Sequence, residues 1–168
     1  MTLHDLRLTV IIPALTILPV KMTGRPAELQ LLATTLQEDP KQRRRQWPTG
    51  PARGLWQFEQ GGGVNGVLRH KNTRQHAVTL CDERGVRPVA ELVHARLEHD
   101  DILAAGFARL LLWADPMALP TPGEVEAGWQ LYLRTWRPGA YSRGDDQEKA
   151  ELRRRWSENY ARAMDAMA

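Results

Sequence analysis

The chain has 168 residues, 42% hydrophobic and 26% charged, which suits one domain of ordinary size and excludes wholesale disorder. Its one cysteine, Cys81, excludes an internal disulfide framework and a cysteine-based zinc cluster. Lys and Arg number 23 against 20 Asp and Glu, a formal charge of +3. That mild excess suits a polyanion such as nucleic acid, anionic lipid or cell-wall polymer and does not choose among them. Six Trp outnumber the three Tyr and two Phe, and indoles either fill a core or stack on sugar rings.

The elements read as helix after helix, separated by Gly and Pro. The run Leu8–Leu18 has the apolar character of a signal peptide. Asp5 ahead of it, Pro13 within it and the lack of a small-x-small cleavage site favour a buried first helix ending at Pro19. The run is too short to span a bilayer. A second helix begins near Pro26, with Thr23 as its cap, and stops at Glu38-Asp39 because Pro40 disfavours helical geometry before it. Leu29, Leu32 and Leu36 give it one buried stripe, with Leu31 beside it.

Residues Asp39–Gly66 then read as one long irregular stretch, a length that usually carries function. Helices resume at Asn72–Arg84, Val89–Glu98, Asp101–Ala114, Gly123–Thr135 and Asp146–Met167. Ile102, Leu103, Phe107, Leu110 and Leu111 make the Asp101 helix a central one, and Asp100 or Asp101 suits its N-cap. The charged last helix docks through Trp156 and Tyr160, four apart. No stretch alternates with period two, so the expected fold is mainly α in a single domain over residues 1–168.

The chemistry concentrates in Leu36-Gln-Glu-Asp-Pro40 and Gly50-Pro-Ala-Arg-Gly-Leu-Trp-Gln-Phe-Glu59. Glu38 closes an apolar helix, so its carboxyl sits at the edge of the core. Burial there, and the negative end of the helix dipole, both raise its pKa toward that of a general acid. Gly54 permits close approach or positive φ, and Leu55 can anchor the loop in the core. Gln57 offers both a donor and an acceptor. Trp56 and Phe58 offer flat apolar faces.

Glu38 together with Gly54-Leu55-Trp56-Gln57 resembles the lytic transglycosylase and goose-type lysozyme superfamily, whose pattern is Glu-Ser followed downstream by Gly-Leu-(Met/Leu/Trp)-Gln. The longer stretch through Val64 also resembles small proteins of tailed bacteriophages and prophages. That likeness continues through Asp100–Trp113 and Trp136-Arg-Pro-Gly139. The resemblance implies a lysozyme-like helical domain with a substrate cleft. In it Glu38 is the single catalytic acid/base for the bond between N-acetylmuramic acid and N-acetylglucosamine. Gln57, Trp56, Gly54, Leu55 and Phe58 would line the substrate, and Tyr132 is a candidate for the hydroxyl that holds the catalytic Glu. Two positions depart from the family: Asp39 stands where it has Ser, and Arg109-Leu-Leu-Leu-Trp113 stands where its Tyr-Asn-Ala-Gly motif belongs.

Glu59, Asp100 and Asp101 are available as a second carboxylate, which would allow ordinary hydrolysis, with the carboxyl separation deciding between inverting and retaining routes. The expected partners are peptidoglycan glycan strands and other phage virion proteins, with no membrane span and no cofactor. The expected setting is a phage virion or host cell, acting on the host periplasm or cell wall without a clear signal peptide. Lys41-Gln-Arg-Arg-Arg45 reads as a solvated basic loop that could attract anionic polymer, and it matches no nucleic-acid motif. Gly61-Gly-Gly63 lacks the Gly-Lys-Ser/Thr ending of a phosphate loop and reads as a tight turn. The five His lack metal-ligand spacing, and Cys81 reads as a small buried residue. A different class of reading is a virion structural or ejection protein on the same fold, with little or no catalysis.

Overall fold

The structure is a computed structural model that describes residues 1–168. Helix accounts for 65% of them, and the only β character is two isolated bridges, Arg45–Arg53 and Arg53–Phe58. The chain opens with α1 (Leu3–Leu6), which runs through a π-helical segment, Arg7–Ile11, into α2 (Ile12–Ile17). A capping box starts it: the Thr2 hydroxyl accepts from the Asp5 amide while the Asp5 carboxylate accepts from the Thr2 amide. Leu6, Val10, Ile11, Ala14 and Leu15 are buried along it, so the apolar run is a core helix. No helix of the structure is long and apolar enough to cross a membrane.

Helix α3 (Arg25–Glu38) is the axis of the fold. It carries no single stripe as the leucine spacing predicts; every residue from Ala27 to Leu36 is buried. A helix covered all round must give each polar side chain a partner, because a buried unpaired polar group costs on the order of 1–3 kcal/mol. Glu28 accepts from Arg7 Nε at 2.6 Å. Gln30 donates to the Gly128 carbonyl at 2.9 Å, and the Thr34 hydroxyl donates to the Gln30 carbonyl at 2.7 Å. Thr35 donates to the Leu55 carbonyl at 2.9 Å. Each long-range bond fixes a different segment against α3.

The helices that follow are α4 (Asn65–Arg69), α5 (Arg74–Glu83), α6 (Ala90–Leu97), α7 (Asp101–Ala114), α8 (Val125–Trp136), α9 (Gly139–Ser142) and α10 (Asp146–Asp165). Helix α10 lies along α3 and α8, and α7 packs on α2, α4, α5 and α6. Asp100 caps α7 by accepting from the Leu103 amide at 2.9 Å, and Arg84 Nε holds the same carboxylate at 3.0 Å. Asp101 instead binds Arg44 through two bonds. Helix α10 docks through Trp156, which is fully buried, and Tyr160, whose hydroxyl accepts from the Gly123 amide at 3.0 Å. Cys81 is buried in α5, and burial, with Asp82 adding to it, pushes its thiol up to about 11.

Three further expectations are corrected. Thr23 does not cap α3: its hydroxyl turns back to the Val20 carbonyl, and Gly24, at φ 116°, precedes the helix. The irregular stretch ends at Glu59, because a π-helical turn at Gln60–Val64 leads into α4. Gly61-Gly-Gly63 therefore opens a helix and makes no tight turn. The glycine that matters there is Gly63, whose Cβ would stand 2.5 Å from the Phe58 ring.

Trp156 joins α10 to Trp129 and Tyr132 of α8, with ring centroids 5.8 and 5.2 Å away. Trp156→Ala is expected to cost about 3–5 kcal/mol, read as a lower urea midpoint at unchanged slope.

Candidate functional site

The last turn of α3 and the loop after it bring the two halves of the motif together. The Thr35–Leu55 hydrogen bond lays Gly54–Gln57 beside that turn. Trp56 Nε1 donates to the Leu31 carbonyl at 3.0 Å, and Trp136 Nε1 donates to the Trp56 carbonyl at 2.9 Å. Gly54 sits at φ 78°, and a Cβ there would lie 3.0 Å from the Leu97 carbonyl oxygen. Both the dihedral and the close approach require glycine. Gln57 also takes a positive φ, 52°, held by its side-chain donation to the Gly54 carbonyl at 2.9 Å. A non-glycine residue persists in that region only where its surroundings over-determine it.

Asp39 is a loop anchor. Its carboxylate accepts from the Arg43 and Arg44 amides at 2.9 and 2.7 Å. Arg44 then grips Asp101 at 2.6–2.7 Å. Arg53 lies 3.5 Å from Glu98, which also pairs with Arg45. The basic run is thus part framework and part surface. Arg43 stays exposed, stacked 4.2 Å from the ring centroid of Trp47, itself 69% exposed.

Glu38 is only partly accessible. Tyr132 Oη donates to its Oε1 at 2.6 Å, and Oε2 has no protein partner. Three influences set its pKa. Burial raises it most, the Tyr132 hydrogen bond opposes that, and the Asp39 charge raises it further, to about 7. Burial first, then the Glu38 charge, pushes the Tyr132 phenol well above its ordinary value. Tyr132 therefore acts here as a hydrogen-bond donor and keeps its proton. It is held by ring stacking with Trp136 and Trp156, at 6.4 and 5.2 Å.

The remaining sequence-selected residues divide. Leu55 and Phe58 are core, at 0% and 3% exposure, as is Trp56 at 0%. Trp56 and Phe58 therefore present no face on which a sugar could stack, because core packing claimed both rings. Phe58 meets Phe107 and Trp136 edge-on. Glu59 is exposed just before the π-helical turn, and its side chain makes no hydrogen bond. Gln57 is half-buried and makes no hydrogen bond to Glu38. Glu38 lines neither of two concavities of about 1000 and 490 Å³. No group of three or more His, Cys, Asp or Glu is arranged to hold a metal ion. Sequence reasoning passed over Thr35, although a hydroxyl one turn before Glu38 is the residue type that ties a loop to a helix end.

No protein-family model, no curated protein and no solved structure matches the chain.

A carboxyl whose folded-state pKa is raised keeps a proton that the unfolded chain has already released. From its ordinary 4.5 up to about 7, rising pH therefore weakens the folded state at this residue. Glu38→Gln, which mimics the protonated form, should gain on the wild type by up to about 1.4 kcal/mol per pH unit across that window. Urea denaturation at a series of pH values reads this, and two parallel stability curves would place the carboxyl at its ordinary value. Tyr132→Phe removes the one influence that lowers the pKa, so carbon NMR should find the Glu38 carboxyl titrating higher in that variant.

Proposed function

We propose that the protein is a peptidoglycan-cleaving glycosidase of the lytic transglycosylase kind, with Glu38 as its single acid/base. The observation that carries this reading is a carboxyl at a helix end, raised to about 7 and fixed by the Tyr132 hydroxyl. Such a group is protonated often enough near neutral pH to act as an acid and ionised often enough to act as a base. Glu38 would give its proton to the glycosidic oxygen as the bond from that oxygen to the muramic acid anomeric carbon breaks. The carboxylate would then take the proton of the muramyl 6-hydroxyl as that oxygen bonds to the anomeric carbon. This closes a 1,6-anhydro ring, consumes no water and returns Glu38 to its acid form. Tyr132 would stabilise the carboxylate between the two steps, leaving Oε2 to face the substrate. Gln57 keeps its side-chain carbonyl unpaired and supports the reading as a substrate acceptor.

A second reading is a virion structural or ejection protein with this helical body and little catalysis. One observation favours it: Trp56 and Phe58 are withdrawn into the core. Under that reading the Glu38–Tyr132 bond is a buried tie between α3 and α8.

Purified sacculi separate the two. The glycosidase reading expects turbidity to fall with the wild type, a loss of about a hundredfold or more in Glu38→Gln, and 1,6-anhydromuropeptides in the products by mass spectrometry. Equal clearing by both proteins would remove Glu38 from the mechanism. No clearing by either, with the chain found in purified phage particles, would favour the assembly role.

A further inference from the structure

The concavity of about 1000 Å³ shares no residue with the Glu38 site. It lies between the end of α7, the segment after it, the start of α5 and the turn before α3. Its walls carry Arg109, Lys21, Lys71, His70 and His76 around an apolar floor that includes Trp113.

Arg109 is the unusual member. It is 2% exposed, yet no carboxylate pairs with it. Its Nε donates to the Met22 carbonyl at 2.7 Å, while Nη1 is buried with no partner at all. Burial alone drags the guanidinium down to about 10. A lone buried cation is costly, and proteins that retain one usually match it with an opposite charge. Beyond the Met22 carbonyl, the compensation is the face of Trp113, 5.4 Å from Arg109 Cζ to the ring centroid. That indole is shared: Lys21 Nζ lies 5.3 Å from the same centroid. Two cations thus crowd one ring.

The other charged groups facing the cleft do not relieve them. Asp115, the one carboxylate in its lining, is already held by Arg134 at 3.0 Å. The Asn72 amide donates to His70 Nδ1 at 3.1 Å, which leaves Nε2 without a protein partner. Lys71 is exposed at the rim. The cleft therefore gathers cations and donors from several separate segments over an apolar floor, and its volume matches that of a small-molecule site.

We propose that this cleft binds a phosphate monoester carried on a planar or apolar body. The phosphate would sit against Arg109, Lys21 and Lys71, and the body would lie on the floor beside Trp113. A dianion with three terminal oxygens answers donors that converge from several directions better than a two-oxygen carboxylate does. The site is independent of the Glu38 reading and stands whether or not sacculi are cleaved.

Isothermal titration calorimetry with phenyl phosphate, inorganic phosphate, benzoate and phenol tests it. Phenyl phosphate should bind with the highest affinity of the four, weakening as salt rises, and phenol should give no heat. Arg109→Met should weaken phenyl phosphate by roughly tenfold or more. Because that substitution also removes an unpaired buried charge, its melting temperature should hold or rise. Lys71→Glu, at an exposed position, should weaken binding without altering the fold and carries the test if Arg109→Met fails to fold. The proposal is overturned by no binding of phenyl phosphate at millimolar concentration, or by wild-type affinity in the variants. Benzoate, inorganic phosphate or phenol binding as well as phenyl phosphate would equally overturn it.

Discussion

A helix buried on every face governs how this protein is put together. Apolar helices can rotate or slide against their neighbours at little cost, because hydrophobic contact has no direction. Helix α3 cannot, since Glu28, Gln30 and Thr35 must each meet one particular group on another segment. The polar residues inside the core therefore set its register, and the leucines around them supply the driving force. Gly128 shows how tight the match is. A Cβ there would meet the Gln30 side-chain oxygen at 3.0 Å and the rings of Tyr160 and Trp156 at 3.3 and 3.4 Å.

The electrostatics of Glu38 follow from that arrangement. Its position at the end of α3 brings it to the boundary of the core, where α8 supplies Tyr132. The Asp39 carboxylate sits beside it because the following loop needs an anchor for the Arg43 and Arg44 amides. Desolvation and a like charge push the pKa one way, and one hydroxyl pushes it back. The balance depends on parts contributed by three stretches of chain, so substitutions that do not touch Glu38 can still retune it.

The helical class, the boundaries of α7 and the stop of α3 at Glu38 were legible because Pro40, Asp100 and the apolar spacing act locally. The place of Leu55 in the core was legible too. Burial of Trp56 and Phe58 was not, since an aromatic in a loop reads the same whether it turns inward or outward. The deciding contacts, Trp56 with the Leu31 carbonyl and Phe58 with Phe107, come from distant segments. The full burial of α3 was hidden for a similar reason: Gln30, Thr34 and Thr35 read as a polar face until their partners are known. Tyr132 was reached only through the family resemblance, as spacing gives no link between α3 and α8.

The tie between Glu38 and Tyr132 spans 94 residues, and the one between Gln37 and Asn159 spans 122. Ribosomes add about 5–20 residues each second, so α3 waits for several seconds before the helices that cover it have been made. Until then α3 lacks the cover that α8 and α10 give it, and Glu38 lacks its Tyr132 partner. The raised acid comes into being only when α8 and α10 close over it, so a growing chain lacks that acid until the last of its cover is in place.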